Sequence, residues 1–132
     1  MAAATRAMTL PHGVVADGRV ERAATLRAPT GADEEWLLDG DDAGVAERVS
    51  RLLGRCVVSV GGRPGSEQLA RELTCGDREA LLLALWGAAF GDRLGCVVEC
   101  SRCMEPMDVD LSVAEPRLET VFINLTGREL RE

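Results

Sequence analysis

The chain of 132 residues contains no lysine; all fifteen of its basic residues are arginine. A phosphate-binding loop needs a lysine on the β- and γ-phosphates, and Schiff-base catalysis needs a lysine amine, so neither chemistry is available. There is no tyrosine, and aromatics make up only 3% of the residues. A core must therefore come from Leu, Val and Ala. One histidine is present, His12, next to Pro11, and it reads as an exposed turn residue. No Ser-His-Asp set can be assembled around it, so an enzyme, and with it a small-molecule substrate, is not expected. Basic blocks are missing too. A formal net charge of -7 disfavours nucleic acid, whose binding requires clustered cations. The longest apolar run, Ala80 to Phe90, spans eleven residues, too few to cross a bilayer, so no membrane partner is expected. Met1 to Ala7 lack the apolar core of a secretory signal. The five cysteines are an odd number, and together these features indicate a reducing cytoplasm rather than a disulfide framework.

What is present is globular in composition, with 46% hydrophobic and 28% charged residues. The length suits one small domain over 1–115, followed by a helical tail over 116–132 that Pro116 sets off. The first element expected is a β-hairpin, Leu10–Ala16 with Arg19–Arg27 around the turn pair Asp17-Gly18. Pro29-Thr30-Gly31 ends it. Thr30 then caps a short helix through Leu38, with Trp36, Leu37 and Leu38 on its buried side. A second helix is expected over Ala43–Leu53, with Val45, Val49, Leu52 and Leu53 at helical spacing. Cys56–Val60 reads either as a strand or as the packed end of that helix. Ser66 caps a short helix through Leu73. The acids at Asp39, Asp41 and Asp42 lack the spacing of a calcium loop and read as solvated.

The chain is organised around Leu73–Leu111. Its first half is the most hydrophobic helix, with Asp77 as expected N-cap, Glu79 in the first turn and Gly91 as C-cap. Leu81, Leu85 and Ala88 line one face, and Leu82, Trp86 and Ala89 the next. A helix apolar all round should be buried all round. A small domain has few elements to do this, so two readings stand: a central core helix, or one partly covered by another chain. Leu82, Trp86 and Phe90, with Arg78 and Arg93 at its ends, are the candidate partner-binding residues.

The second half is a β-hairpin, Arg93–Glu99 with Met107–Val113, carrying Cys100-Ser101-Arg102-Cys103 at its tip. Cys-x-x-Cys on a tight turn offers two thiolates to one tetrahedral metal, and zinc is the cofactor that Cys100 and Cys103 could hold. Four ligands would need two of Cys56, Cys75 and Cys96, or a second copy of the pair from another chain. An empty knuckle and a redox pair are the alternatives. The redox reading wants the motif at a helix N-terminus, and the run after Pro106 is strand-like. Asp108 and Asp110 share one strand face and read as solvated.

The ordered set of motifs resembles the baseplate hub assembly chaperones of T-even-type contractile phage tails and related injection systems. The carrying residues are Leu10-Pro11-x-Gly13, Leu26-Arg27-x-x-Thr30-Gly31-x-Asp33-Glu34, Leu52-Leu53-x-Arg55-Cys56 and Leu73-Thr74-x-Gly76-Asp77-Arg78. Leu81-Leu82-Leu83, Phe90-Gly91-Asp92-Arg93, Cys100-x-x-Cys103 and Met107-Asp108-Val109-Asp110-Leu111 complete the set, over about Met8–Ala114. The resemblance implies a non-enzymatic role in assembling a baseplate, with other baseplate or tail proteins as partners, in the cytoplasm or in a tail-like particle. Ser101 and Met104 stand where that family's knuckle commonly has proline and glycine. The segment Arg117–Glu132 is similar to the extreme C-terminus of ABC-transporter ATPase subunits. It is expected to form a helix over Leu118–Leu125 with Gly127 as cap. A zinc-knuckle adaptor and a regulatory fragment related to such a transporter are the rival functions. The expected architecture is α+β: an N-terminal hairpin, a helical middle and a C-terminal hairpin bearing the knuckle.

Overall fold

A computed structural model describes residues 4–39 and 42–112. The expected α+β order is what it shows. Strands β1 (Thr5–Ala16) and β2 (Arg19–Arg27) form the first hairpin; helices α1 (Gly31–Leu38) and α2 (Val45–Cys56) follow. Strands β3 (Val57–Val60) and β4 (Arg63–Pro64), helices α3 (Glu67–Glu72) and α4 (Cys75–Phe90), and strands β5 (Arg93–Glu99) and β6 (Pro106–Ser112) complete the order. The chain divides into two compact units, the first ending at Asp92 and the second starting at Arg93.

The first unit is a four-stranded antiparallel sheet in the order β1-β2-β3-β4 with helices packed on it. Asp17 and Gly18 both have positive φ, 50° and 74°, as a two-residue turn that matches strand twist requires. Strand β1 starts earlier than the alternation suggested, at Thr5, because its N-terminal half pairs with β2 as far as Arg27. Its register slips between Thr9 and Val14. The residues in the slip are Leu10-Pro11-His12-Gly13, and Pro11 has no N–H to give a ladder. Gly13 stands there at φ 82°, and a Cβ on it would lie 2.3 Å from the Glu21 carbonyl oxygen. Both the backbone angle and the space therefore demand glycine.

The core is Leu10, Val14, Ala24 and Leu26 from the hairpin, Leu53, Cys56, Val57 and Val60 from α2 and β3, and Leu69, Ala70, Leu73, Leu81 and Leu85 from α3 and α4. Burying each Leu or Val contributes roughly 1.5–3 kcal/mol. The segment after Leu53 satisfies both sequence readings: α2 runs on to Cys56, and a strand starts at Val57. Burial pushes the Cys56 thiol up from its ordinary pKa, which keeps it an inert packing residue.

Two buried carboxylates hold this unit together, and both follow a Thr-x-x-Asp pattern. Asp33, the only buried residue of α1, accepts from Arg27 Nη1 at 2.7 Å and Nη2 at 3.0 Å and from Arg55 Nε at 2.9 Å. It also accepts from the backbone N–H of Thr30 at 2.8 Å and the Thr30 hydroxyl at 3.1 Å. The buried side of α1 is thus a carboxylate rather than the apolar trio expected. Trp36 and Leu37 are half-buried, Leu38 is exposed, and the Arg55 guanidinium lies 5.1 Å from the Trp36 ring centre.

At α4 the N-cap is Thr74, whose hydroxyl accepts from the Asp77 N–H at 3.2 Å. Asp77 is not the cap expected from its place before the apolar run. Its carboxylate reaches out of the helix and accepts the N–H groups of His12 at 2.8 Å and Gly13 at 2.9 Å. It thereby satisfies two donors that the slip in β1 leaves without ladder partners.

The second unit is the antiparallel β5–β6 ribbon, in register from Arg93↔Ser112 to Glu99↔Pro106. The expected C-terminal strand limit, Val113, and the predicted tail helix lie outside the described residues.

Candidate functional site

Helix α4 is apolar all round but is not buried all round. Asp77, Leu81 and Leu85 are its only buried residues, whereas Leu83 is 52%, Trp86 41% and Phe90 62% exposed. The expectation of burial on every side fails because only one face meets the sheet. Leu82, Ala84 and Ala88 pack partly against the core, and the rest of the helix looks outward.

Along this outer side runs a groove of about 570 Å³. One wall is α4, with Leu82, Leu85, Trp86, Ala89 and Phe90; the other is the Ala28–Gly31 connection, Glu34 and Leu37. The Trp86 and Phe90 rings sit 4.5 Å apart, tilted by 47°, and form a continuous aromatic edge. At the end of the helix Arg6 and Asp92 pair at 3.5 Å over Gly87. Three sequence candidates, Leu82, Trp86 and Phe90, therefore come together as one wall. The second wall was missed in the sequence, where Leu37 read as core and Pro29-Thr30-Gly31 only as a strand breaker.

The two arginine candidates are placed differently. Arg78 donates to the Ala70 carbonyl at 2.7 Å, the Ala46 carbonyl at 3.1 Å and the Ser50 hydroxyl at 3.0 Å. It clamps α4 to α3 and α2 and does not line the groove. Arg93 is an exposed first residue of β5, in the second unit.

His12 is exposed, as expected, but stands in β1 rather than in a turn. Its Nδ1 lies 3.2 Å from the Thr74 hydroxyl and 3.6 Å from Asp77. The three residue types are those of a nucleophile–base–acid chain, yet the arrangement is not one. A triad uses the two ring nitrogens for different partners, and here one nitrogen faces both. The Thr74 hydroxyl also serves as the helix cap.

The hairpin tip holds Cys100 and Cys103 as the sequence suggested. Cys100 N–H donates to the Glu105 carbonyl at 3.0 Å, and Met104 N–H donates to the Cys100 carbonyl at 2.8 Å. The backbone N–H groups of Cys103 and Arg102, and then the Cys103 thiol, donate toward the Cys100 sulfur and lower its pKa. Met104 takes φ 59°, so the turn forms with methionine where glycine is the comfortable residue. Among the described residues no three His, Cys, Asp or Glu side chains cluster in a way that could hold a metal ion. Cys96 turns toward the Leu94 carbonyl at 3.9 Å, Cys75 is exposed on α4, and Cys56 is buried. No helix among the described residues is long and apolar enough to cross a membrane.

Fold and surfaces together define a small α+β protein that displays apolar area on a framework tied by buried carboxylates. The family model described as T4 bacteriophage base plate protein matches residues 9–128, and the chain belongs to that family. The match continues past Pro116, across most of the segment that resembles a transporter C-terminus. No curated protein and no solved structure matches the chain.

Proposed function

We propose that this protein acts in building a contractile tail baseplate by binding other baseplate or tail proteins, with no chemical step, as an assembly chaperone or a structural part. Membership of the base plate family supports the setting. The observation that carries the binding role is the groove beside Trp86 and Phe90, large apolar side chains held outward on a rigid helix. A soluble protein keeps such a patch when a partner covers it. Aromatic anchors in a concave site are where interface energy concentrates.

The test uses tail proteins encoded alongside this chain, each expressed and offered to the purified full-length protein. Phe90→Ala and Ala89→Asp alter exposed groove residues, so the fold should survive with a loss of about 1–2 kcal/mol at most. Binding of the partner should weaken at least ~10-fold, as loss of an interface anchor does. A producing strain carrying either variant should assemble fewer complete tails by electron microscopy. If both variants bind and assemble like the wild type, the groove is not the binding site. Mass spectrometry of purified particles distinguishes a chaperone, which leaves, from a structural part, which stays.

A further inference from the structure

We propose that the groove beside α4 is covered within the same chain by the segment Leu118–Leu125, which a baseplate partner must displace. The displacement rests on the binding role given to the groove above; the covering does not.

Reach is the first reason to choose this occupant. Strand β6 returns antiparallel, so that Ser112 pairs with Arg93, and Arg93 comes three positions after Phe90, the last residue of the groove wall. Paired residues lie about 5 Å apart, and three extended residues span at most about 11 Å. The connectivity of the chain therefore brings Ser112 back near the end of the groove. Residues 113–117 stand between it and Leu118, enough to cover up to about 20 Å.

Pattern is the second. Leu118, Val121, Phe122 and Leu125 stand at i, i+3, i+4 and i+7, the spacing of one helix face, with Ile123 the one apolar residue off that stripe. A helix of that length spans about 12 Å, close to the length of the wall from Leu82 to Phe90. So short a helix does not persist in water and needs a surface to pack on. The wall supplies one, because the Trp86 and Phe90 rings stand out of the fold side by side. An amphipathic helix laid apolar face down in a hydrophobic groove is a recurring mode of recognition.

Charge is the third. Asp33 and Glu34 are the charged residues that line the groove. Asp33 is taken by Arg27 and Arg55, while Glu34 has no ion pair among the described residues. Arginines bracket the stripe, Arg117 before it and Arg128 after it. The family match runs through residue 128, so the whole segment is part of what that family shares.

The full-length protein, carrying the photoreactive residue p-benzoylphenylalanine in place of Phe122, is irradiated at low concentration, and the monomer band is digested at arginine. Crosslinks should join the tail to Glu79–Arg93 or Ala28–Arg48, the peptides that hold the two groove walls. The same photoreactive residue in place of Thr120, which lies off the stripe, should give far fewer of them. Ala89→Asp should abolish the crosslink from position 122 while circular dichroism stays native. Crosslinks to other peptides, crosslinks confined to a dimer band, or equal crosslinking from both positions would overturn the covering. None of this needs a partner, so its failure leaves the binding role of the groove untouched. Displacement is read from partner affinity. Phe122→Asp should raise it ~10-fold, the gain when a site covered in about nine-tenths of molecules is freed. Affinity unchanged by Phe122→Asp but weakened by Phe90→Ala would overturn the displacement.

Discussion

Replacing Asp33 by asparagine removes a charge from a buried side chain that ties α1 to β2 and α2. Its carboxylate is fully buried and accepts five hydrogen bonds, three of them from two arginines. Breaking one side of a buried ion pair typically costs about 3–5 kcal/mol, because the partner charge is left without compensation. Here the arginines are not sealed in: the side chains of Arg27 and Arg55 are 25% and 40% exposed, and water can take up part of the loss. A cost of roughly 2–4 kcal/mol follows. For a domain of this size that is a large share of total stability.

The pH dependence gives a second readout. The Arg27 hydrogen bonds, followed by those from Thr30 and Arg55, hold the Asp33 carboxyl far below the usual carboxylate range. A depressed folded pKa adds stability that is complete above the unfolded value, about 3.9, and fades as pH falls through the folded one. The wild type minus Asp33→Asn difference should therefore be flat at neutral pH and shrink below about pH 5. Urea unfolding followed by Trp36 fluorescence, repeated from pH 7 to pH 3, measures both effects. A variant within ~0.5 kcal/mol of wild type, with the same acid limb, would refute the network's importance.

Asp77→Ala should destabilise by about 1–3 kcal/mol and speed amide exchange at His12 and Gly13, whose N–H groups lose their acceptor. Gly65→Ala places a Cβ 1.7 Å from the Val57 carbonyl oxygen, an overlap that the β3–β4 turn cannot relieve. Soluble yield should fall, with a loss of more than ~2 kcal/mol in any protein recovered. Met104→Gly should relieve the strained turn by about 1–2 kcal/mol, less the ~0.5–1 kcal/mol entropy loss of a glycine, and slow exchange of its amide.

The local signals that survived in the fold are those written in short-range chemistry. Asp17-Gly18 has the two residues a tight hairpin turn wants, Ser66 has an oxygen for the Leu69 N–H, and the alternation of Met107, Val109 and Leu111 marks one face of β6. Helix α4 was legible as a helix because eleven consecutive residues there run nearly without a polar side chain. The roles of its flanking residues were not. Thr74 outranks Asp77 as cap because a strand on the far side of the sequence offers Asp77 two N–H groups. Arg78 looked like a free cation for a partner, and its three acceptors come from residues up to 32 positions away. The Cys-x-x-Cys spacing likewise identified Cys100 and Cys103 as a pair, while the backbone bonds that close their turn appear only in the fold.

The Asp17-Gly18 turn, the Ser66 cap, strand alternation and the absence of lysine were determined by the sequence alone, because each depends on residues within a turn or two of one another, or on none. Which side of α4 meets the sheet, which of its apolar side chains stay outside, and where the carboxylates of Asp33 and Asp77 find donors were decided by the tertiary structure. The physical reason is that burial and pairing of charges are properties of packed neighbours, and chain separation hides those neighbours from any local pattern.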